Sequence, residues 1–271
     1  MSKTWFITGA SRGFGKQFAK AALGRGDRVA ATARSTSDLK DLVDEFGDRV
    51  LALGLDVTDR DSAFAVVRRA VDTLGGLDVV VNNAGYGLFG AIEELTEKQL
   101  RDQLEVNLFG VFHVTQAVIP ILRTQGSGHI IQISSVGGIG AFPLLGGYHA
   151  SKWALEGLSE SLSQELAGTG IRVTLVEPGG FATDWAGSSA VHASPQSSYD
   201  HLREAFGVQS VHAEMGDPAA AGPALMQIVD AEEPPLRVLF GSQPIEIVKY
   251  LYAQRLQTWA QWESVSHAAQ G

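Results

Sequence analysis

The sequence predicts an α/β fold in which helices cover both faces of one doubly wound parallel sheet. Short runs rich in β-branched residues alternate along the chain with longer segments whose apolar residues recur at spacings of three and four. Each glycine-rich or polar motif follows the end of such a run or lies on the next helix, and open parallel sheets bind ligands at that edge. The length of 271 residues suits a single α/β domain over 1–271.

The same alternation predicts the individual elements. Seven strands are expected at 4–8, 28–32, 50–56, 79–82, 129–133, 172–177 and 236–240. The clearest helices are expected at 16–23, 59–74, 97–122 and 148–166. A segment rich in Gly, Ser and Ala, at about 179–196, is expected to be a loop near the substrate or a disordered insert. The extension at about 245–262 is expected to be a helix packed on the core or on another subunit, with a substrate role as the alternative.

Charge and residue types exclude several functions. A formal net charge of -9 and the lack of any Lys/Arg cluster oppose nucleic-acid binding. The chain has no cysteine, which excludes disulfides and thiol chemistry, and its seven histidines show no metal-ligand spacing, so no metal site is expected. Residues 1–3 are too few for a signal peptide and no apolar run approaches about 18 residues, so we expect a cytoplasmic protein without membrane contact.

A glycine-rich loop follows the first predicted strand and leads into a helix. Glycine permits a tight turn, lets the backbone approach a bound group closely, and leaves the amides at the helix N-terminus facing an anion such as a pyrophosphate. This context predicts a dinucleotide site. The loop residues assigned to it are Gly9, Ser11, Arg12, Gly13, Phe14 and Gly15.

The end of the second predicted strand bears on which dinucleotide is bound. An acidic residue there hydrogen-bonds a ribose 2′-hydroxyl, whereas a basic residue accommodates a 2′-phosphate. The strand ends at Ala33-Arg34 without an acid, and Arg12 adds a second cation at the start of the first helix. We therefore expect NADP(H), held by Arg12 and Arg34 together with Ser35 or Thr36. NAD(H), with both arginines merely solvated, is the alternative.

Tyr148 and Lys152 are the candidate proton-transfer pair. Because they stand four positions apart at the start of a predicted helix, their side chains share one face. A free phenol has a pKa of about 10 and is a poor acid-base catalyst at neutral pH, but a nearby ammonium favours the phenolate and lowers that pKa.

Together these motifs resemble the short-chain dehydrogenase/reductase family, in its single-domain branch with a Rossmann fold. The glycine loop has the spacing TGxxxGxG, and further family patterns recur in order over most of the chain. They are Asp56-Val57, Asn82-Asn83-Ala84-Gly85, Asn107, Ser135, Tyr148 with Lys152, and Pro178-Gly179. The residues after Ser135 and Pro178 look most like those of steroid- and retinol-dehydrogenase-like members.

The resemblance implies roles for residues beyond the glycine loop. The cofactor residues it adds, besides Tyr148 and Lys152, are Asp56 and Val57 along the adenine, Asn83, Ala84 and Gly85 around the ribose, and Pro178, Gly179 and Thr183. Ser135, thirteen positions before Tyr148, hydrogen-bonds the substrate oxygen. Asn107 is poorly suited to the middle of a helix; the family role is to hold a water near Lys152, and bending the helix is the alternative.

The expected reaction is the reduction of a carbonyl group. Hydride moves from the nicotinamide to the carbonyl carbon while Tyr148 donates a proton to the oxygen, and Lys152 lowers the pKa of Tyr148 and holds the nicotinamide ribose. Oxidation of an alcohol is the same path reversed. The alternatives are an NAD-dependent alcohol dehydrogenase and a dinucleotide-binding regulatory protein that has lost its chemistry.

The substrate is expected to be a small apolar ketone, aldehyde or alcohol. No arginine or lysine lies between Ser135 and Tyr148, or in the loop after Pro178, to pair with a carboxylate or phosphate. The expected walls, beside Ser135 and Tyr148, are Val136, Phe142, Leu145, Phe181 and Trp185. The alternative is that several of these residues simply pack the loop onto the body.

Two of the predicted helices are also candidate subunit contacts. The helices 97–122 and 148–166 carry apolar residues beyond one narrow stripe. Because members of the family commonly pair through these helices, we expect a homodimer or homotetramer, although a well-covered monomer core would give the same pattern.

Overall fold

The computed structural model describes residues 2–205 and 215–271, and nine strands lie within them. The strands are β1 (Thr4–Ile7), β2 (Arg28–Ala33), β3 (Val50–Gly54), β4 (Val79–Asn82), β5 (Leu88–Phe89), β6 (Gly128–Ile133), β7 (Ile171–Pro178), β8 (Val191–His192) and β9 (Arg237–Phe240). Seven of them form one parallel sheet in the order β3-β2-β1-β4-β6-β7-β9. All seven predicted strands are therefore confirmed. The short pair β5 and β8, which the sequence did not predict, forms a separate parallel ribbon.

Helices lie on both faces of the sheet, as the sequence predicts for a doubly wound fold. They are α1 (Gly13–Gly24), α2 (Lys40–Phe46), α3 (Arg60–Leu74), α4 (Glu97–Leu104), α5 (Gly110–Gln125), α6 (Gly146–Glu165), α7 (200–205, as far as the chain is described), α8 (Pro218–Asp230), α9 (Gln243–Gln261) and α10 (Glu263–Gln270). A π-helical turn, Glu105–Phe109, joins α4 to α5, so the single helix predicted at 97–122 is continuous but locally widened.

The central strand β1 shows why these runs are apolar at every position. Trp5 and Ile7 face the cluster that includes α1 and α8, whereas Phe6 between them faces the cluster that includes α3 and α5. Ile7 pairs with Ala31 of β2 on one side and with Val81 of β4 on the other. The chain crosses from β3 back to β4 beside β1, and this reversal opens a crevice at the carboxyl ends of β1 and β4.

One helix differs from the expectation that no apolar stretch is long enough to cross a membrane. The continuous helix Glu97–Gln125 is long and apolar enough, by length and composition alone, to cross a membrane. Val114, Val118 and Leu122 on it are buried in the core cluster on the α3 side of the sheet. A core helix passes the same test of length and composition.

The extension after β9 is helical, as predicted, but only part of it packs on the body. Arg255 donates a hydrogen bond from Nη2 to the main-chain oxygen of Ile139 at 2.6 Å. Leu251 lies so close to Gly140 that a Cβ on that glycine would be 2.4 Å from Leu251 Cδ1. Leu256 and Trp259, in contrast, are 61% and 65% exposed, so they do not pack on the core of this chain, and packing on another subunit stays a prediction.

Candidate active site

The glycine loop has a shape that a dinucleotide phosphate fits. Gly9 has φ +65°, in the left-handed region that glycine adopts without strain. A Cβ on Gly15 would lie 2.2 Å from the main-chain oxygen of Gly9, so only glycine permits this close approach. The N-cap residue of α1, Arg12, makes no side-chain capping hydrogen bond, which leaves the first-turn amides free of that partner. Close backbone and helix amides together form a cradle for a pyrophosphate.

Asn83 holds this loop in place. Its Nδ2 donates to the main-chain oxygens of Thr8 and Gly9, both at 3.0 Å. In return, Thr8 Oγ1 accepts from the backbone amides of Asn83 at 2.9 Å and Ala84 at 3.0 Å. The ends of β1 and β4 are thus bonded to each other, and the side chain assigned to the ribose is used to fix the glycine loop. Thr8, which takes part in three of these four bonds, was not assigned to the site from the sequence although it opens the glycine motif.

The residues assigned to the adenine end lie at the carboxyl ends of β2 and β3, which are paired up to Ala33 and Gly54. Arg34 directly follows β2, is exposed, and has no ion-pair partner within 2–205 and 215–271. Asp56 closes a turn by accepting from the amide and hydroxyl of Thr58, at 3.0 and 2.8 Å. An unpaired cation therefore stands where a 2′-phosphate would be bound.

Arg12 has a partner that the sequence did not indicate. Its Nη1 lies 3.4 Å from Asp184 Oδ2, and both side chains are largely accessible to solvent. Asp184 belongs to the long segment after β7, which also approaches the glycine loop at Thr183, since a Cβ on Gly13 would lie 3.9 Å from Thr183 Cβ. Arg12 and Thr183, both assigned to the cofactor, therefore lie where the segment after β7 approaches the glycine loop.

The predicted catalytic side chains meet at the N-terminal turns of α6. Tyr148 and Lys152 are both buried, and Lys152 Nζ lies 5.9 Å from the centroid of the Tyr148 ring. Lys152 Nζ donates to the main-chain oxygen of Ile133, the last residue of β6, at 2.8 Å. Ser135, two residues further along, is hydrogen-bonded through its hydroxyl to Tyr148. The fold thus brings the serine, tyrosine and lysine together at one strand end.

Burial controls the protonation of this group. It raises the pKa of Tyr148 to about 12, and the hydrogen bond from Ser135 opposes that rise. Burial also lowers the pKa of Lys152 to about 8, against the attraction of Glu156. Burial and Ser135, and not Lys152, shift the pKa of Tyr148, and the Lys152 ammonium is bonded to Ile133. At neutral pH the phenol keeps its proton.

Asn107 lies in the π-helical turn and is completely buried. Its Nδ2 donates to the main-chain oxygen of Tyr86 at 3.0 Å and to Ser151 Oγ at 3.1 Å, while its Oδ1 accepts from the Tyr86 amide at 3.1 Å. The amide therefore joins the segment after β4 to α6, one residue before Lys152. Its role in holding a water stays a prediction.

The side chains assigned to the substrate are divided between two places. Trp185 packs edge-on against Tyr148 with ring centroids 4.9 Å apart, and Phe89 of β5 lies 5.2 Å from Trp185. Phe181 lies elsewhere: its ring meets Phe14 of the glycine loop at 4.9 Å. Trp185 is thus positioned to border the reacting group, whereas Phe181 joins the long segment to α1.

Val136, Phe142 and Leu145 lie on the chain that connects Ser135 to Tyr148. Val136 begins the short 3-10 turn after Ser135, and Leu145 is buried directly before α6. Phe142 is half-buried and packs edge-on against His149, with ring centroids 5.5 Å apart. His149 itself was missed by sequence reasoning, although it directly follows Tyr148.

We call residues 179–205 the covering segment, because Trp185 within it covers Tyr148. β8 in this segment pairs with β5, which follows the end of β4. Glu94, whose carboxylate is buried, accepts from the backbone amides of Ala91 at 2.8 Å and Gln196 at 2.6 Å and pairs with Arg203. Sequence reasoning missed these contacts, since two-residue strands and one glutamate carry no periodic signal.

The fold and this site define a class of protein, the oxidoreductases that bind a nicotinamide dinucleotide at the carboxyl edge of a Rossmann-type sheet. The chain belongs to the short-chain dehydrogenase family, whose model, described as short chain dehydrogenase, matches residues 3–193. The resemblance stated from the sequence motifs is thereby confirmed.

Relatives agree over nearly the whole chain. Oxidoreductase BOA17 of Botryotinia fuckeliana is 44% identical over 250 residues, covering 91% of each chain. The 3-ketodihydrosphingosine reductase of Bacteroides thetaiotaomicron is 35% identical over 252 residues, covering 92% of this chain and 90% of that protein. A short-chain dehydrogenase from Streptomyces avermitilis has a solved structure with a TM-score of 0.94 and 38% identity, covering 99% of this chain and 98% of the other.

Solved structures of more distant relatives contain a nicotinamide dinucleotide. One from Burkholderia phymatum holds NAD, with 25% identity, a TM-score of 0.80 and coverage of 92% of each chain. One from Burkholderia cenocepacia holds NADP, with 26% identity, a TM-score of 0.77 and coverage of 96% of this chain and 97% of the other. The cofactor of this chain is accordingly a nicotinamide dinucleotide.

Proposed function

We propose that this protein reduces an apolar ketone or aldehyde to the alcohol with NADPH, with Tyr148 as the proton donor. The observation that carries the proposal is the buried Tyr148 hydroxyl, hydrogen-bonded to Ser135 and held in its protonated form by burial, which raises its pKa to about 12. A protonated phenol is the form needed to protonate a carbonyl oxygen. Alcohol oxidation requires the phenolate, which this environment disfavours.

The side chains divide the reaction between them. The bound dinucleotide supplies the hydride that reduces the carbonyl carbon. The Ser135 hydroxyl hydrogen-bonds the substrate oxygen as negative charge develops on it, and the Tyr148 hydroxyl gives that oxygen its proton. Lys152, charged below its pKa of about 8, places its Nζ 5.9 Å from the centroid of the Tyr148 ring, as a positive charge beside the phenolate that remains. Asn107 fixes the segment after β4 against α6, so that the groups of the site keep their separation.

The unpaired Arg34 supports NADP(H) over NAD(H). It stands at the end of β2, where an NAD site has an acid, and Arg12 adds a second cation at the start of α1, where it pairs with Asp184. To test this, kcat/KM is measured with both dinucleotides for the unaltered protein, Arg34→Ala and a control, Arg68→Ala, on the exposed surface of α3. We expect NADPH to be preferred about tenfold to a hundredfold and Arg34→Ala alone to lose that preference. Comparable use of both dinucleotides by the unaltered protein would contradict the assignment.

The substrate is expected to be bulky and apolar. Trp185 and Phe89 offer aromatic surface on the Tyr148 side, and Val136 and Phe142 lie on the chain between Ser135 and Tyr148. One relative is named 3-ketodihydrosphingosine reductase. The experiment is a panel of ketones of increasing chain length assayed with NADPH. We expect kcat/KM to rise with chain length, and no turnover of any member would favour a regulatory dinucleotide-binding protein instead.

The proposal includes a cytoplasmic homodimer or homotetramer formed through α5 and α6. Phe109, in the π-helical turn before α5, and Trp153, on α6, are 43% and 44% exposed, which is unusual for large aromatic side chains and favours their burial by another copy. Sedimentation of the unaltered protein and of Trp153→Ser tests this assembly. A monomer at micromolar concentration in both would contradict it.

A further inference from the structure

His149 is a buried histidine that the proposed reaction does not use. It is 3% exposed and both of its ring nitrogens are occupied. The backbone amide of Phe142 donates to Nε2 at 2.9 Å, and Nδ1 lies 2.9 Å from the main-chain oxygen of Gly137. An amide can only donate and a carbonyl oxygen can only accept, so Nε2 carries no proton and Nδ1 carries one. The contacts therefore require one neutral tautomer.

The segment that His149 holds connects Ser135 to the wall residue Phe142. Ser135 Oγ accepts from the backbone amide of Gly137 at 3.0 Å, and the main-chain oxygen of the same glycine is bonded to His149. Gly137 therefore links the Ser135 hydroxyl to the His149 ring. The fit is close: a Cβ on Gly137 would lie 2.7 Å from His149 Nδ1 and 3.2 Å from Tyr148 Cε1. Movement of this turn would move the Ser135 hydroxyl relative to Tyr148.

The other side of the same segment is held from α9. Arg255 bonds the main-chain oxygen of Ile139 at 2.6 Å, and Leu251 packs on Gly140. Residues 137–142 thus lie between two supports, of which only His149 comes from the helix that carries Tyr148 and Lys152. Because the imidazole spans from Gly137 to Phe142, it fixes the length of the segment as well as its distance from α6.

We propose that His149 is a positioning residue, which holds the turn after Ser135 and the Phe142 wall against the catalytic helix in its neutral Nδ1–H form. This role rests on the proposed function, since it acts through Ser135 and Phe142. His149 exchanges no proton with the substrate. It sets where the serine hydroxyl and the apolar wall stand when the substrate binds.

The role has a pH signature. Protonation of His149 would place a second N–H against the Phe142 amide, where two donors face each other. Burial lowers the pKa of His149, opposed by the bond to the main-chain oxygen of Gly137, so His149 lets go of the Phe142 amide only in acid. The titratable group against the ring is Tyr148, with centroids 5.9 Å apart, which remains neutral throughout that range. The proton-donor role of Tyr148 itself gives no loss of rate in acid, because the phenol stays protonated there.

The first test needs no activity. Imidazole ¹⁵N NMR of the unaltered protein distinguishes a protonated from an unprotonated ring nitrogen, and amide hydrogen exchange reports the Phe142 N–H. We expect the Nδ1–H tautomer at neutral pH, slow exchange at Phe142, and faster exchange there in His149→Leu. An Nε2–H tautomer, or equally fast exchange in both proteins, would overturn the proposed contacts.

The second test uses variants that retain one or neither bond. His149→Gln can keep an acceptor for Phe142, His149→Asn can keep a donor for Gly137, and His149→Leu keeps neither. We expect kcat/KM for an apolar ketone to fall about tenfold to a hundredfold in the leucine variant, with partial recovery in the amide variants and unchanged NADPH affinity. The acid loss of kcat/KM should be present in the unaltered protein and absent in His149→Gln.

The outcomes separate the two proposals. Loss of thermal stability in all three variants with kcat/KM and its pH profile unchanged would make His149 a packing residue and overturn the inference. No turnover by the unaltered protein would contradict the proposed function, and with it the positioning role, even where the NMR contacts are as expected. An Nε2–H tautomer in an active enzyme would overturn the inference alone.

Discussion

The glycine loop and the covering segment meet at Phe14 and Phe181 but are held by different means. The glycine loop is fixed by backbone shape and by bonds among Thr8, Gly9 and Asn83, all at the ends of neighbouring strands. The covering segment is held by a two-residue ribbon and by the buried Glu94, whose partners Gln196 and Arg203 are about a hundred residues away in sequence. The glycine loop is thus bonded directly to the ends of the sheet strands, whereas the covering segment is held by contacts outside the seven-stranded sheet.

This difference predicts that changes on the two sides are separable. Substitutions in the glycine loop should alter folding and dinucleotide affinity together, because the same close contacts serve both. Substitutions at the Glu94 anchor, which holds the far end of the covering segment, should alter substrate affinity and leave dinucleotide affinity unchanged. Tyr148 contacts both Ser135, after the end of β6, and Trp185 of the covering segment. A substitution of Tyr148 therefore belongs to neither group.

The largest effect is expected at Tyr148. Tyr148→Phe removes only the hydroxyl, keeps the ring packed on Trp185, and leaves the carbonyl oxygen without its proton donor. We expect kcat for reduction to fall about a thousandfold with little change in NADPH affinity. Steady-state rates and fluorescence titration measure the two quantities, and near-normal turnover would contradict the assignment of the acid.

The next effect tests the glycine loop. Gly15→Ala forces a Cβ to within 2.2 Å of the Gly9 oxygen, and we expect it to destabilise the fold by about 1–3 kcal/mol and to weaken dinucleotide binding. Gly24→Ala, at the other end of α1, is the matched control, since its Cβ would meet nothing within 4 Å. Denaturant unfolding and dinucleotide titration of both variants test the difference. Equal stability and equal dinucleotide affinity of the two variants would contradict the requirement for a glycine at position 15, beside the Gly9 oxygen.

A smaller effect is expected where the covering segment is anchored. Glu94→Gln removes the charge that Arg203 pairs with, and Glu97→Gln, on the exposed surface of α4, is the control. We expect the KM for an apolar ketone to rise about threefold to tenfold in Glu94→Gln only, with NADPH affinity unchanged. A parallel loss of NADPH affinity would mean that the two sides are coupled.

The smallest effect concerns Glu177, at the end of β7 where the chain leaves the sheet for the covering segment. Burial and the neighbouring Glu156 raise its pKa to about 8, so the folded protein keeps a proton there that the unfolded chain releases in mild acid. The contribution of this site to stability is full at acid pH and is lost as pH rises through about 8.

Glu177→Gln should therefore unfold at a temperature about 2–5 °C above that of the unaltered protein at alkaline pH and lose this advantage in acid. Glu160→Gln is the control, because that carboxylate pairs with the same Arg237 but is half exposed. Calorimetry at several pH values measures the difference. An advantage that does not depend on pH would exclude titration of Glu177 as its source.

The sequence predicted the seven sheet strands, their parallel arrangement and the family, because each of these depends on signals within a few residues of one another. The alternation of apolar runs and helices indicates a sheet that is buried on both faces. The TGxxxGxG motif indicates a backbone conformation that favours glycine. The meeting of Ser135, Tyr148 and Lys152 followed as well, since a strand end and the next helix must adjoin.

What only the tertiary structure decided depends on residues far apart in sequence. Lys152 is bonded to Ile133, so burial rather than the ammonium sets the pKa of Tyr148. Phe181 packs on Phe14 while Trp185 reaches Tyr148, a choice that no local pattern contains. Spacing along the chain determines which side chains share a face, but the dielectric surroundings and hydrogen-bond partners of a buried group are set by whichever distant segments pack against it.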